Sequence, residues 1–198
     1  LVARIARLVP SASGLAPSSR PGAPRGLVLA PTRELASQIL ATIEPLASAA
    51  GLSAMTIFGG VSQAGQVRQL RAGADIVVAT PGRLEDLLAQ KVIRLDAVAV
   101  TVIDEADHMA DLGFLPGVTR ILAATPTGTQ RLLFSATLDH GVDKLVARFL
   151  AHPLVHSVDT AESPVAAMTH HVFLVEDASQ KRRVVHQLAG GSSRRLLF

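Results

Sequence analysis

The chain has 198 residues, 48% of them hydrophobic, enough for one α/β domain with a buried core and part of a second. It contains no cysteine, which excludes a disulfide framework and thiolate metal sites, and Asp or Arg interrupts every apolar run short of membrane-spanning length. The formal charge is only +3, and the isoelectric point near 10.2 arises because arginines outnumber lysines sixteen to three while no Tyr or Cys titrates above neutrality.

Residues 1–9 read as the end of a helix, and 10–24, rich in Pro, Ser and Gly, as a flexible surface loop. Short apolar strands are then predicted at 27–30, 54–58, 75–79, 98–103 and 131–134. Helices are predicted at 34–49, 62–72, 83–89 and 142–150. Strands alternating with amphipathic helices predict an α/β fold: a doubly wound parallel sheet with helices on both faces. This first unit is expected to span 1–158, its last segment (154–158) being a strand. Residues 159–168 read as a linker, and 169–198 as the beginning of a second α/β unit. Within that unit a strand is expected at 170–175, a helix at 181–188 and a further strand at 195–198.

Charge is unevenly placed. Residues 1–26 and 181–198 carry nine basic residues and no acid, whereas 27–180 carry ten basic and sixteen acidic residues. Charge alone therefore does not argue for a nucleic-acid partner. The N-terminal stretch, broken by Pro10, Ser11, Ser13 and Gly14, does not resemble a signal peptide, and with the lack of cysteine it fits a cytoplasmic protein.

Doubly wound sheets bind ligands at the carboxyl ends of their strands, and unusual polar residues gather there. The strand at 98–103 runs into Asp104-Glu105-Ala106-Asp107. Paired acids at such a place suit a nucleotide triphosphatase, one carboxylate holding Mg²⁺ and the next polarising the attacking water. They equally suit the dipole of a helix N-terminus. Pro31-Thr32-Arg33-Glu34-Leu35-Ala36 follows the first strand, Gly59-Gly60 the second, Thr80-Pro81-Gly82-Arg83 the third, and Ser135-Ala136-Thr137 the strand after the acids.

In order and spacing, these segments resemble motifs Ia, GG, Ib, II and III of the DEAD-box RNA helicases, over about 110 residues. The resemblance implies a RecA-like first lobe and an ATP-dependent activity that separates or remodels RNA duplexes. Asp104 would anchor Mg²⁺ and Glu105 would be the general base. RNA would be held by Pro31, Thr32, Arg33, Gly59, Gly60, Thr80, Pro81, Gly82 and Arg83. Asp107, Ser135, Ala136 and Thr137 would couple nucleotide state to strand separation, the hydroxyls at 135 and 137 reaching Asp107. Guanidinium forks, hydroxyls and glycine backbone suit phosphate and sugar contacts. Six Phe without Tyr or Trp offer no obvious stacking platform, so recognition independent of base sequence is expected. The other reading of Thr80-Pro81-Gly82 and Ser135 is helix capping.

No phosphate-binding Gly-x-x-x-x-Gly-Lys occurs, nor any Gly-Lys pair. The chain is therefore expected to be a fragment that does not hydrolyse ATP by itself. The other possibilities are a non-catalytic RNA-binding lobe, against which the Asp104-Glu105 pair argues, and a DNA-directed translocase of the same superfamily. His170-His171 in a strand would point to opposite faces and so would not converge on a metal. Arg68 and Arg71 read as solvated.

Overall fold

The structure, a computed structural model, describes residues 1–8, 21–139, 141–157 and 171–190. The expected linker at 159–168, the strand at 195–198 and most of the loop at 10–24 lie outside the described residues. The chain divides into two compact units, Leu1–Pro153 and Leu154–Phe198.

The first unit runs α1 (Val2–Leu8), β1 (Gly26–Leu29), α2 (Arg33–Ala49), β2 (Ala54–Ile57), α3 (Gln63–Ala72), β3 (Ile76–Ala79), α4 (Pro81–Ala89), β4 (Val100–Ile103), α5 (Ala106–Asp111), α6 (Leu115–Ala123), β5 (Gln130–Leu133) and α7 (Val142–Phe149). The five strands form one parallel sheet in the order β2-β3-β1-β4-β5. The five strands predicted between residues 27 and 134 are present, their bounds trimmed or shifted by one or two residues. Helices α5 and α6 were not anticipated between β4 and β5. The first is too short to show a period; the second carries one, with Val118, Ile121 and Leu122 buried behind Pro116 in its first turn.

Strand parity sorts the core into two layers. Leu27, Leu29, Val77, Ala79, Met55, Ile57 and Ile103 face one way and pack with Leu70 of α3, Leu84 and Leu87 of α4, and residues of α5 to α7. Val28, Val78, Ile76 and Val100 face the other way, toward α1 and α2. Burial on both sides is the reason β1, β3 and β4 read as near-unbroken apolar runs rather than alternating ones. Each fully buried Leu, Ile or Val side chain is worth roughly 1.5–3 kcal/mol of transfer free energy.

A polar knot fixes the amino ends of three strands. Asp75 is 4% exposed; its carboxylate pairs with Arg25 and accepts from the N–H of Ser53 at 3.0 Å and its hydroxyl at 3.1 Å. With that edge pinned before β1, β2 and β3, the loops that carry the motif-like segments all emerge at the opposite edge.

In the second unit, α8 (Ala178–Ala189) covers the expected helix at 181–188. Asp177 caps it, accepting from the Gln180 N–H at 2.7 Å. The strands expected at 154–158 and 170–175 are corrected: the described residues 154–157 and 171–175 are not strands. Leu154, Val172 and Leu174 are about nine-tenths exposed, so the apolar alternation there has no sheet face to bury.

Candidate functional site

Because all five strands are parallel, their carboxyl ends share one edge, and every segment singled out in the sequence lies on it. Cross-links between neighbouring strand ends hold it in register. Ala30 N–H donates to Ala79 O at 3.0 Å, Thr80 N–H to Ile57 O at 2.9 Å, Asp104 N–H to Leu29 O at 3.0 Å, and Phe134 N–H to Ile103 O at 2.8 Å.

At the end of β4, Asp104 is half-buried and one of its oxygens accepts from the Glu105 N–H at 3.1 Å. Burial, with the neighbouring Glu105 charge, raises its pKa; that hydrogen bond opposes the shift without cancelling it. Glu105 is exposed and takes a left-handed backbone conformation, φ 49° and ψ 55°, as the N-cap of α5. Such a conformation is costly for a residue with a Cβ and is tolerated where the surroundings enforce it. The next residue supplies the enforcement: Ala106 is buried and its N–H donates to Phe134 O at 3.0 Å. The Glu105 carboxylate lies 3.0 Å from Nδ1 of His108, one turn on.

Asp107 is occupied quite differently. One oxygen accepts from the N–H groups of Ala136 and Thr137, both at 3.2 Å, and the other from the His108 N–H at 3.1 Å. Its own N–H donates to Ser135 Oγ at 3.2 Å, and that hydroxyl donates in turn to Thr137 O at 2.5 Å. Burial alone would raise the Asp107 pKa, but these hydrogen bonds together outweigh it and hold the carboxyl below its ordinary range. The three acids thus divide: Asp107 is tied to the segment after β5, while Asp104 and Glu105 bond only within the turn that carries them, Glu105 to the exposed His108. The expectation that the hydroxyls of both Ser135 and Thr137 reach Asp107 needs correction. The Ser135 hydroxyl does reach Asp107, accepting from its N–H and helping to lower its carboxyl pKa, whereas Thr137, like Ala136, acts through its backbone N–H.

Across β1, β3 and β2 lies a second cluster. Thr32 caps α2, its hydroxyl accepting from the Leu35 N–H at 3.2 Å, after the buried Pro31. Arg33, with about half its side chain exposed, lies beside Glu34 and against Gly60. Gly60 has φ +76°, which favours glycine, and a Cβ there would sit 2.5 Å from Arg33 Nη1, so a side chain would push the guanidinium aside. Gly59 and Gly82 face open space. Thr80 is 9% exposed and precedes α4, with Pro81 in the first turn, yet its hydroxyl makes no cap hydrogen bond. Arg83 departs from the expected open fork. Its side chain is only 15% exposed and turns to Val61 O at 3.4 Å and the Asp86 carboxylate at 3.9 Å, bracing the loop after Gly60. Arg68 and Arg71 are exposed on α3, as read. Sequence reasoning missed Gln66, a buried amide in that helix whose Nε2 donates to Phe58 O at 2.9 Å. The available signal was a Gln four residues before Leu70, on the apolar stripe.

Among the described residues no group of three His, Cys, Asp or Glu side chains converges as a metal site. The donor set is one open carboxylate with another beside it. That suits Mg²⁺, which takes one or two protein carboxylates and completes its shell with water and substrate phosphates. No helix among the described residues is long and apolar enough to cross a membrane.

A five-stranded parallel sheet with helices on both faces, carrying an Asp-Glu pair at one strand end and a Ser-Ala-Thr segment at the next, has the RecA-like fold. The comparisons narrow this. The family model described as "DEAD/DEAH box helicase" matches residues 5–145. The chain is 40% identical over 163 residues to DEAD-box ATP-dependent RNA helicase 14 of Arabidopsis thaliana, covering 81% of this chain and 26% of that protein. It is 39% identical over 170 residues to the ATP-dependent RNA helicase RhlB of Pseudomonas aeruginosa, 84% of this chain and 43% of that one. Among solved structures, the yeast DEAD-box splicing factor Prp28 aligns with TM-score 0.61 at 36% identity, over 65% of this chain and 31% of that one. A hypothetical ATP-dependent RNA helicase from Sulfolobus tokodaii aligns with TM-score 0.62 at 38% identity, over 65% and 39% respectively. The chain belongs to the DEAD/DEAH box helicase family. It spans between about a quarter and less than half of the length of these relatives.

Proposed function

We propose that the chain forms part of an ATP-dependent RNA helicase, in which its sheet edge carries the hydrolytic acids on one half and the RNA contacts on the other. The observation that carries this reading is the division of the three acids: Asp107 is bound to the segment after β5, while Asp104 and Glu105 bond only within their own turn, Glu105 to the exposed His108. Asp104, whose charged form is disfavoured by burial and by Glu105, would gain from a cation and is the Mg²⁺ anchor. Bound Mg²⁺ would neutralise charge on the ATP phosphates. Glu105 orients the attacking water and accepts its proton. The Asp107–Ser135–Thr137 cluster ties the start of α5 to the loop after β5, so a shift of the acids with nucleotide state reaches that loop. Thr32, Arg33, Gly59, Gly60, Thr80 and Gly82 meet RNA through phosphate and sugar, Arg83 acting chiefly as a brace. Pro31 and Pro81 set the backbone at the starts of α2 and α4.

Without a Gly-Lys phosphate loop in its 198 residues, the chain by itself is read as unable to turn over ATP. The lack of cysteine fits work in the cytoplasm.

The test is Glu105→Gln in a whole helicase that contains this chain. ATP and RNA affinities should hold while hydrolysis falls by about 10²–10⁴-fold, the usual worth of a general base. Turnover within a few-fold of the original would remove Glu105 from this role.

A further inference from the structure

Gln66 is 7% exposed, on the side of α3 that carries Leu70 toward the sheet. Its Nε2 donates to Phe58 O at 2.9 Å, while its Oε1 is buried with no hydrogen-bond partner among the described residues. Turning the amide over would set Oε1 against Phe58 O, acceptor to acceptor, so the carbonyl imposes this orientation. A buried acceptor without a partner is unfavourable, and Met or Leu would fill the same space without one. What the amide provides in return is a hold on one peptide plane.

The peptide between Phe58 and Gly59 is trans and planar, so its C=O and N–H point in opposite directions. With the carbonyl drawn inward to Gln66, the Gly59 N–H is turned away from the core. No described residue accepts it, and a Cβ on Gly59 would meet nothing within 4 Å. Arg33 Nη1 lies against the next residue, Gly60. A neutral donor held in fixed orientation thus lies one residue before the glycine that Arg33 approaches, and a donor and a guanidinium so placed in the chain suit one phosphate.

We propose that Gln66 is a positioning residue that locks the 58–59 peptide so that the Gly59 N–H meets a phosphate oxygen of RNA held by Arg33. This rests on the reading of the Arg33–Gly60 cluster as an RNA site, and the experiment separates the two. Binding of uridine and adenosine decamers by the 198-residue chain is measured over a range of salt for the original, Gln66→Met and Arg33→Ala. Gln66→Met should weaken both decamers about tenfold, the worth of a hydrogen bond to a charged group. The slope of log affinity against log salt should stay unchanged, because a neutral N–H displaces no counterion. Arg33→Ala should lower affinity and also flatten the slope by about 0.7. Should Gln66→Met fail to fold, the unaltered chain still decides: its Gly59 amide resonance must move on adding the uridine decamer. A still Gly59 signal alongside a moving Arg33 Nε signal overturns the role of Gln66 alone, as does original affinity in a folded Gln66→Met. If Arg33→Ala binds normally and neither signal moves, the RNA reading falls and this proposal with it.

Discussion

The backbone N–H of Asp107 donates to the hydroxyl of Ser135 at 3.2 Å, joining the first turn of α5 to the segment after β5. Ala136 and Thr137 complete the link through their own N–H groups on the Asp107 carboxylate. The two hydroxyls are therefore not equivalent. In a whole helicase, Ser135→Ala should cost more unwinding than ATP hydrolysis, and about 1 kcal/mol of stability through the unmet N–H. Thr137→Ala, which keeps its N–H, should behave close to the original. Paired unwinding and ATPase assays check this; equal damage from both variants would mean that the Thr137 hydroxyl acts in a way the hydrogen bonds do not show.

Glu105 sits at φ 49°, a conformation glycine adopts without penalty. Glu105→Gly should therefore raise the unfolding free energy by roughly 0.5–1 kcal/mol, strain relief offset by the freer unfolded chain. It should abolish hydrolysis in a whole helicase. Glu105→Gln should leave stability near the original. Urea unfolding midpoints distinguish the two, and an unchanged or lower midpoint for the glycine variant would show that residue 105 stores no strain.

Asp104 and Asp107 shift in opposite directions from the ordinary carboxylate value of 3.8. The folded pKa of Asp104 is raised, so its ionised form opposes folding, and that penalty grows as pH rises from 3.8 through the folded pKa. Asp104→Asn should stabilise the chain at neutral pH, with the difference vanishing below 3.8. The folded pKa of Asp107 is lowered, so its stabilisation is present above 3.8 and is lost as pH falls through the folded value. Asp107→Asn should destabilise at neutral pH and approach the original only in stronger acid. Unfolding midpoints measured from pH 3 to 8 give both signs. The same sign for both variants at neutral pH would contradict the division of the acids.

A methyl group on Gly60 would sit 2.5 Å from Arg33 Nη1 on a left-handed backbone, so the guanidinium would have to move. Gly60→Ala should cost about 1–2 kcal/mol in backbone strain and displace the guanidinium. RNA affinity should then fall as far as in Arg33→Ala, with the double variant no worse than either. Additive losses would mean that Gly60 and Arg33 contact RNA independently.

Much was settled by sequence alone. β1, β3 and β4 are legible because strands buried on both faces are near-unbroken apolar runs, and the polar segments after them because a strand end is where such a run stops. The parallel sheet followed from the alternation with helices, and the family from five motif-like segments in order. The tertiary structure decided how those strands lie side by side, since chain order does not dictate lateral order: β1 comes first in sequence and lies at the centre. It also decided which atoms act. Thr137 meets Asp107 through an N–H whose direction depends on backbone dihedrals, which side-chain identity does not reveal. Arg83, an exposed fork by its chemistry, is turned inward because Val61 O and Asp86 lie within its reach. Gln66, an unremarked helical polar residue in sequence, is made consequential by one carbonyl eight residues earlier, brought against it by the packing of α3 on the sheet.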